Sequence, residues 1–116
     1  MKDIVLIAAG CSGMIIAVVH GYLGGTMVNR ALQDAPGSVR RIMQAIMFLS
    51  AVYWFVGGAV LAFNGVLFGE EGRQTAALIA GTIFLTAAMA NLWATRGRHF
   101  GWMVLTATTV LVAVGY

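Results

Sequence analysis

The chain has 116 residues, of which 60% are hydrophobic and 9% charged, with a formal net charge of +3. Ordinary soluble domains carry roughly 25% charged residues. A globule this small has too little polar surface to cover so much apolar sequence, and too much apolar sequence to stay unfolded, so a soluble fold and intrinsic disorder are both excluded.

Four apolar runs predict an all-α, integral membrane, four-transmembrane-helix up-down bundle, read as a single domain over residues 1–116 with spans at about 4–23, 42–68, 75–94 and 100–116. No run alternates polar and apolar residues with period two, which rules out barrel strands. Backbone groups in lipid must pair within their own segment, which leaves helices.

The first run is about 30 Å long as a helix, the thickness of a hydrocarbon core. Ala8-Ala9-Gly10-Cys11 resembles a lipoprotein cleavage box. The apolar stretch before it is too short for a signal sequence, so an uncleaved helix is expected, with Cys11 as a small packing residue. Gly24-Gly25 is expected to end this helix, since glycine accepts the left-handed cap conformation. Thr26 to Gln33 then reads as a short interfacial helix, Asp34-Ala-Pro-Gly37 as a turn, and Ser38 as the N-cap of the second helix.

The second run is longer than a span requires and is expected to tilt or project. Tyr53-Trp54 falls near its middle, where buried rings with polar tips need partners; Ser50, Thr82 or Thr86 are the candidates. Ser50, Tyr53, Trp54 and Asn91 are therefore read as intramembrane polar packing. Asn64 and Asn91, at opposite ends of their spans, also suit interfacial caps. The third run matches the bilayer, and the fourth, at its lower length limit, carries no charge. Helix association in lipid relies on close approach, so small residues four apart mark contact faces. These are Gly13 with Ala17, the stripe Ser50, Trp54, Gly58 and Ala62, and Ala77 with Gly81.

Basic residues set the orientation. Arg30, Arg40 and Arg41 lie in the first connection and Arg96 and Arg98 in the third, against Lys2 and Arg73 on the opposite side. The expected topology is a multi-pass cell inner membrane protein, connections 24–41 and 95–99 cytoplasmic and both termini outside. Seven basic residues around an apolar body answer to topology and not to nucleic acid, which is not expected as a partner.

No Asp, Glu, Lys or Arg lies within the four spans. His20 and His99 fall at one depth, with Arg40, Arg41, Gln44, Asn91, Arg96 and Arg98 near them. Three uses compete: arginines anchoring helix ends beside the Trp93 and Trp102 belt; an anionic lipid headgroup held by Arg40, Arg41, Arg96 and Arg98 with the two histidines; and haem or a metal between His20 and His99. No cofactor is predicted, haem being the alternative. One cysteine, Cys11, can form neither an intrachain disulfide nor a cysteine-built zinc site. Seven methionines without further ligands read as packing. Nucleophile–base pairs, paired carboxylates and phosphate-cradling loops are missing from the sequence, and no catalytic residue is assigned.

His20-Gly-Tyr-Leu-Gly, Arg40-Arg41 ahead of a span with Trp54, and Gly97-Arg98-His99-Phe-Gly-Trp102 together resemble small bacterial four-helix inner-membrane proteins carrying a Gly-Arg-His-x-Gly-Trp motif. That resemblance implies an inner-membrane location and no activity. Size and span number are similar to small multidrug resistance transporters, but residues 4–23 lack the membrane-embedded glutamate of that family, and the phenylalanine-threonine filter patterns of fluoride channels are missing too. The expected function is non-enzymatic: an accessory, scaffolding or lipid-interacting protein in the bilayer, as a homo-oligomer or with other membrane subunits. The alternatives are a redox or ligand-binding subunit using His20 and His99, and a small-solute transporter.

Overall fold

The computed structural model describes residues 2–116, and among these the regular structure is all helix, joined by short turns and without strands. The elements are α1 (Lys2–Leu23), a π-helical segment (Gly24–Val28), α2 (Asn29–Ala31), α3 (Gly37–Ala62), α4 (Asn64–Leu67), α5 (Glu70–Thr95) and α6 (Gly101–Gly115). Three helical stretches are long and apolar enough to cross a membrane: Lys2–Ala31, Gly37–Ala62 and Glu70–Thr95. The last helix, α6, is apolar but has only 15 residues.

The four long helices form a ring. α1 packs most extensively on α3 and also on α6, α5 packs on α6, and the α3–α5 seam is the sparsest. Neighbours run antiparallel. Gly10 faces Gly58 and Ala62 while Gly24 faces Met47 across α1 and α3, and Gly81 meets Val112 across α5 and α6. The molecule is elongated, 51 × 25 × 17 Å.

Small residues fill the inside. Ala9, Ala17, Ala77, Ala80 and Ala88 are buried on α1 and α5, and among the described residues only Phe84, Leu61 and Leu105 are large apolar side chains fully enclosed. The large apolar residues point outward instead: Ile4, Ile15, Tyr22, Phe48, Tyr53, Val66 and Trp93 are all exposed. In water that arrangement would be costly, whereas in lipid an outward Ile or Phe loses nothing and the gain comes from close backbone approach.

Gly58 shows that approach directly. A Cβ placed on it would lie 2.7 Å from the Gly10 carbonyl oxygen and 2.8 Å from the Met14 nitrogen. Only two glycines allow α1 and α3 to cross this closely. The stripe ending in Gly58 and Ala62 does receive a neighbouring backbone, most closely at Gly10 of α1, with Gly13 also against the Gly58 backbone. Gly13 serves Phe84, whose ring reaches across from α5.

Several sequence expectations are corrected. Gly24-Gly25 does not end the first helix: Gly24 is buried against the Met47 side chain, and the chain continues through a π-helical turn to Ala31. A terminus here would leave backbone groups unpaired beside α3, and widening the helix avoids that. Ser38 is not the N-cap; the helix begins at Gly37 after an extended Pro36, whose carbonyl accepts the Arg40 N–H at 3.1 Å. The second run is not one helix from 42 to 68 but breaks at Phe63, before the short α4. Cys11 is exposed and does not pack inward. Tyr53 is exposed rather than buried, Thr82 and Thr86 donate to carbonyls of their own helix, and Ser50 bridges helices to His20 and not to Tyr53 or Trp54.

Candidate functional site

His20 stands in the last turn of α1, where that helix leans on the middle of α3. Its Nε2 is 2.9 Å from the Ser50 hydroxyl. That hydroxyl has one proton, and its own helix takes it: the Ile46 and Met47 carbonyl oxygens lie 2.9 and 3.0 Å away. His20 Nε2 is therefore the donor to Ser50, and His20 Nδ1 remains an acceptor. The imidazole also packs on Trp54, ring centroids 4.2 Å apart with the planes tilted by 40°. These contacts fix the ring at the α1–α3 interface.

His99 is positioned by the turn between α5 and α6. Arg96 has φ 51° and Gly97 φ 75°, and the Gly97 N–H reaches back to the Leu92 carbonyl at 3.0 Å, which closes α5 with left-handed residues. The Gly97 carbonyl then accepts the Trp102 indole N–H at 3.2 Å. The Gly101 N–H donates to His99 Nδ1 at 3.1 Å, so His99 caps the start of α6 and its proton sits on Nε2. The Gly-Arg-His-x-Gly-Trp motif is thus a compact turn whose two glycines, histidine and tryptophan each have a geometric task. His99 also stacks on Phe100, with centroids 4.7 Å apart.

The two histidines line one cavity of about 310 Å³, together with Trp54, Asn91, Gly101 and Met27. The π-helical segment forms part of its wall through Gly24 and Val28. Asn91 contributes the one buried side-chain oxygen that lacks a hydrogen-bond partner among the described residues, its Oδ1. An unpaired buried acceptor costs about 1–3 kcal/mol. Asn91 is accordingly part of this wall rather than an interfacial cap. Its burial beside His20 and His99 was legible in the sequence only as shared depth.

The arginines do not join this cavity. Arg40, Arg41, Arg96 and Arg98 are exposed, and none of them lines it. Gln44 donates instead to Asn29 Oδ1, and Asn29 in turn to the Gly25 carbonyl. No group of three or more His, Cys, Asp or Glu side chains converges among the described residues.

The opposite end carries an arrangement the sequence did not announce. Asn64 is 1% exposed. Its Nδ2 donates to the Arg73 carbonyl at 3.2 Å, and its Oδ1 accepts from Arg73 Nε at 3.3 Å. Arg73 also pairs with Asp3, and Lys2 Nζ reaches the Tyr116 carbonyl at 3.2 Å. A second buried bond joins α1 to α6, where Ser12 and the fully enclosed Thr108 approach to 2.9 Å. Asn64 looks like a span-end cap in sequence, and nothing nearby signals Asp3, some seventy positions away along the chain.

Compared with known protein families, curated proteins and solved structures, the chain matches none.

Proposed function

We propose that this chain is a non-enzymatic protein of the bacterial inner membrane that crosses the bilayer four times and holds a small amphipathic molecule between its helices. In this reading both termini are outside and the arginine-bearing connections, 24–41 and 95–99, are cytoplasmic, following the basic-residue bias. Three membrane-length apolar helices and outward-facing large apolar side chains support the bilayer setting. The fourth crossing, α6, is about 22 Å long, and local thinning of the bilayer or the flanking Phe100 and Tyr116 make up the difference.

The observation that carries the functional part is the cavity near the cytoplasmic end, where His20, Asn91 and His99 face one space in an otherwise apolar interior. Few convergent polar groups in an apolar pocket are the usual form of a small-molecule site. The exposed arginines then act on the surface, at bulk headgroups, as an accessory or scaffolding subunit's anchors. A haem or metal ligand is the second reading, because both histidines line that cavity and His20 Nδ1 keeps a lone pair free of protein partners; His99 would have to release its Nδ1 from the Gly101 N–H to ligate as well.

Native mass measurement of the protein released from mild detergent tests the ligand reading. A retained small-molecule adduct is expected, and it should be lost in Ala94→Phe, which fills the cavity from its exposed rim. A particle without adducts, or adducts unaffected by that substitution, overturns it.

A further inference from the structure

One wall of the histidine cavity is built unlike the rest of the bundle. It consists of Leu23, Gly24, Met27 and Val28, where α1 gives way to the π-helical turn. Here the ordinary helical bond from the Asn29 N–H to the Gly25 carbonyl is not made. The Asn29 N–H turns to the Thr26 carbonyl, and the Asn29 side chain replaces it at Gly25, with Nδ2 2.6 Å from that oxygen. Asn29 Oδ1 in turn accepts from Gln44 Nε2 of α3. One side-chain amide thus covers the carbonyl that the wide turn leaves open and ties the turn to the neighbouring helix. Among the described residues this is the one side-chain hydrogen bond that joins residues 24–33 to another long helix beyond α1.

That replacement gives the turn two satisfied forms. If the segment rewinds to α-helix, the Asn29 N–H returns to the Gly25 carbonyl, so this acceptor is paired either way. Rewinding shifts the register by one residue, which rotates everything beyond the turn by about 100°. Asn29 then swings away from Gln44 and draws Val28 off the cavity. Two glycines set the pivot. Gly24 is pinned, since a Cβ on it would lie 2.9 Å from the Met47 Cβ, whereas one on Gly25 meets nothing within 4 Å. Glycine also favours the α-helix least among residues other than proline, which keeps the rewound form from dominating. Resting on the ligand-binding reading above, we infer that residues 24–31 are the gate of the histidine cavity and that the Gln44–Asn29 bond is its latch.

Thiol modification by methyl methanethiosulfonate tests this inference. In a Cys11→Ser background, Thr95→Cys puts a single half-buried thiol on the cavity wall. Gln44→Leu and Asn29→Ala each remove the latch and should speed its modification about tenfold, the worth of one neutral hydrogen bond. The double variant should be no faster than Asn29→Ala alone, because Gln44 acts only through Asn29. Gly25→Ala, which favours α-helix where a methyl has room, should speed it too. Arg30→Ala, exposed in the same segment, should not. Amide hydrogen exchange in Gln44→Leu should rise across residues 24–32 and stay unchanged around Gly58. An unaltered thiol rate in Gln44→Leu overturns the inference, and so do additive effects in the double variant. Faster exchange around Gly58 as well overturns it by showing general loosening. If Asn29→Ala does not fold, Gln44→Leu and Gly25→Ala still decide. These rates need no bound ligand, so an adduct-free protein defeats the ligand-binding reading without deciding the gate.

Discussion

At the residue scale, two adjacent glycines on α3 have opposite environments. A Cβ on Gly58 meets backbone atoms of Gly10 and Met14 below 3.0 Å, whereas one on Gly57 meets the Phe84 ring at 3.7 Å, an ordinary contact. Backbone cannot rotate aside as a side chain can. Gly58→Ala therefore forces α1 and α3 apart and is expected to cost about 1–3 kcal/mol, the range for overpacking. Gly57→Ala should be neutral or stabilise by up to ~1 kcal/mol through helix propensity. Reversible unfolding of both variants in mixed micelles measures the difference, and equal effects would contradict the close crossing. The sequence shows Gly58 as part of a small-residue stripe. It does not show that Gly10 as well as Gly13 is opposite, because spacing four identifies a face and not its register with a partner. His99 is a similar case: it is visible as a polar residue at a helix start, but its capping of Gly101 depends on the left-handed pair Arg96 and Gly97 that precedes it.

At the element scale, the ends of α1 and α3 depart most from the hydropathy pattern. Gly24-Gly25 carries the sequence signature of a helix stop, yet packing on Met47 uses Gly24 for its lack of a side chain and not for its freedom at positive φ. The reverse happens at Phe63, where nothing apolar is interrupted in the sequence but the helix breaks. Asn64 competes for the backbone there and turns inward to Arg73, a role that Asn takes readily at helix ends. Asn64→Ala leaves the Arg73 carbonyl and guanidinium without that partner. A loss of about 1–3 kcal/mol is expected. Asp3→Asn, which removes the ion pair with Arg73 on the exposed side, should cost no more than ~1 kcal/mol. Thermal unfolding of the two variants in one detergent gives the ranking, and a larger effect at Asp3 would mean that the ion pair between α1 and α5, not the buried amide between α4 and α5, does more to hold this end of the molecule together.

At the scale of the whole molecule, the helical class and the three membrane-length apolar helices are legible in the apolar runs, and the large apolar residues that face out while alanines and glycines face in are compatible with a lipid setting. The cavity follows from no such pattern. It depends on Phe84 standing between α5 and the glycines of α1 and α3 and on a π-helical turn that supplies part of the wall, both consequences of packing between elements distant in sequence. Its assignment to the cytoplasmic leaflet rests on orientation, which the bias of five basic residues against two predicts. Cysteine labelling in intact cells tests that orientation. In a Cys11→Ser background, single cysteines replacing Asp34, Glu71 and Arg98 occupy exposed connections or helix ends. A membrane-impermeant maleimide should label Glu71→Cys and leave Asp34→Cys and Arg98→Cys unmodified until the membrane is opened. Labelling at Asp34 and Arg98 with protection at Glu71 would invert the molecule and put His20, Asn91 and His99 at the outer leaflet. Labelling of Asp34 and Glu71 alike would mean that α3 does not cross, since those two positions flank it.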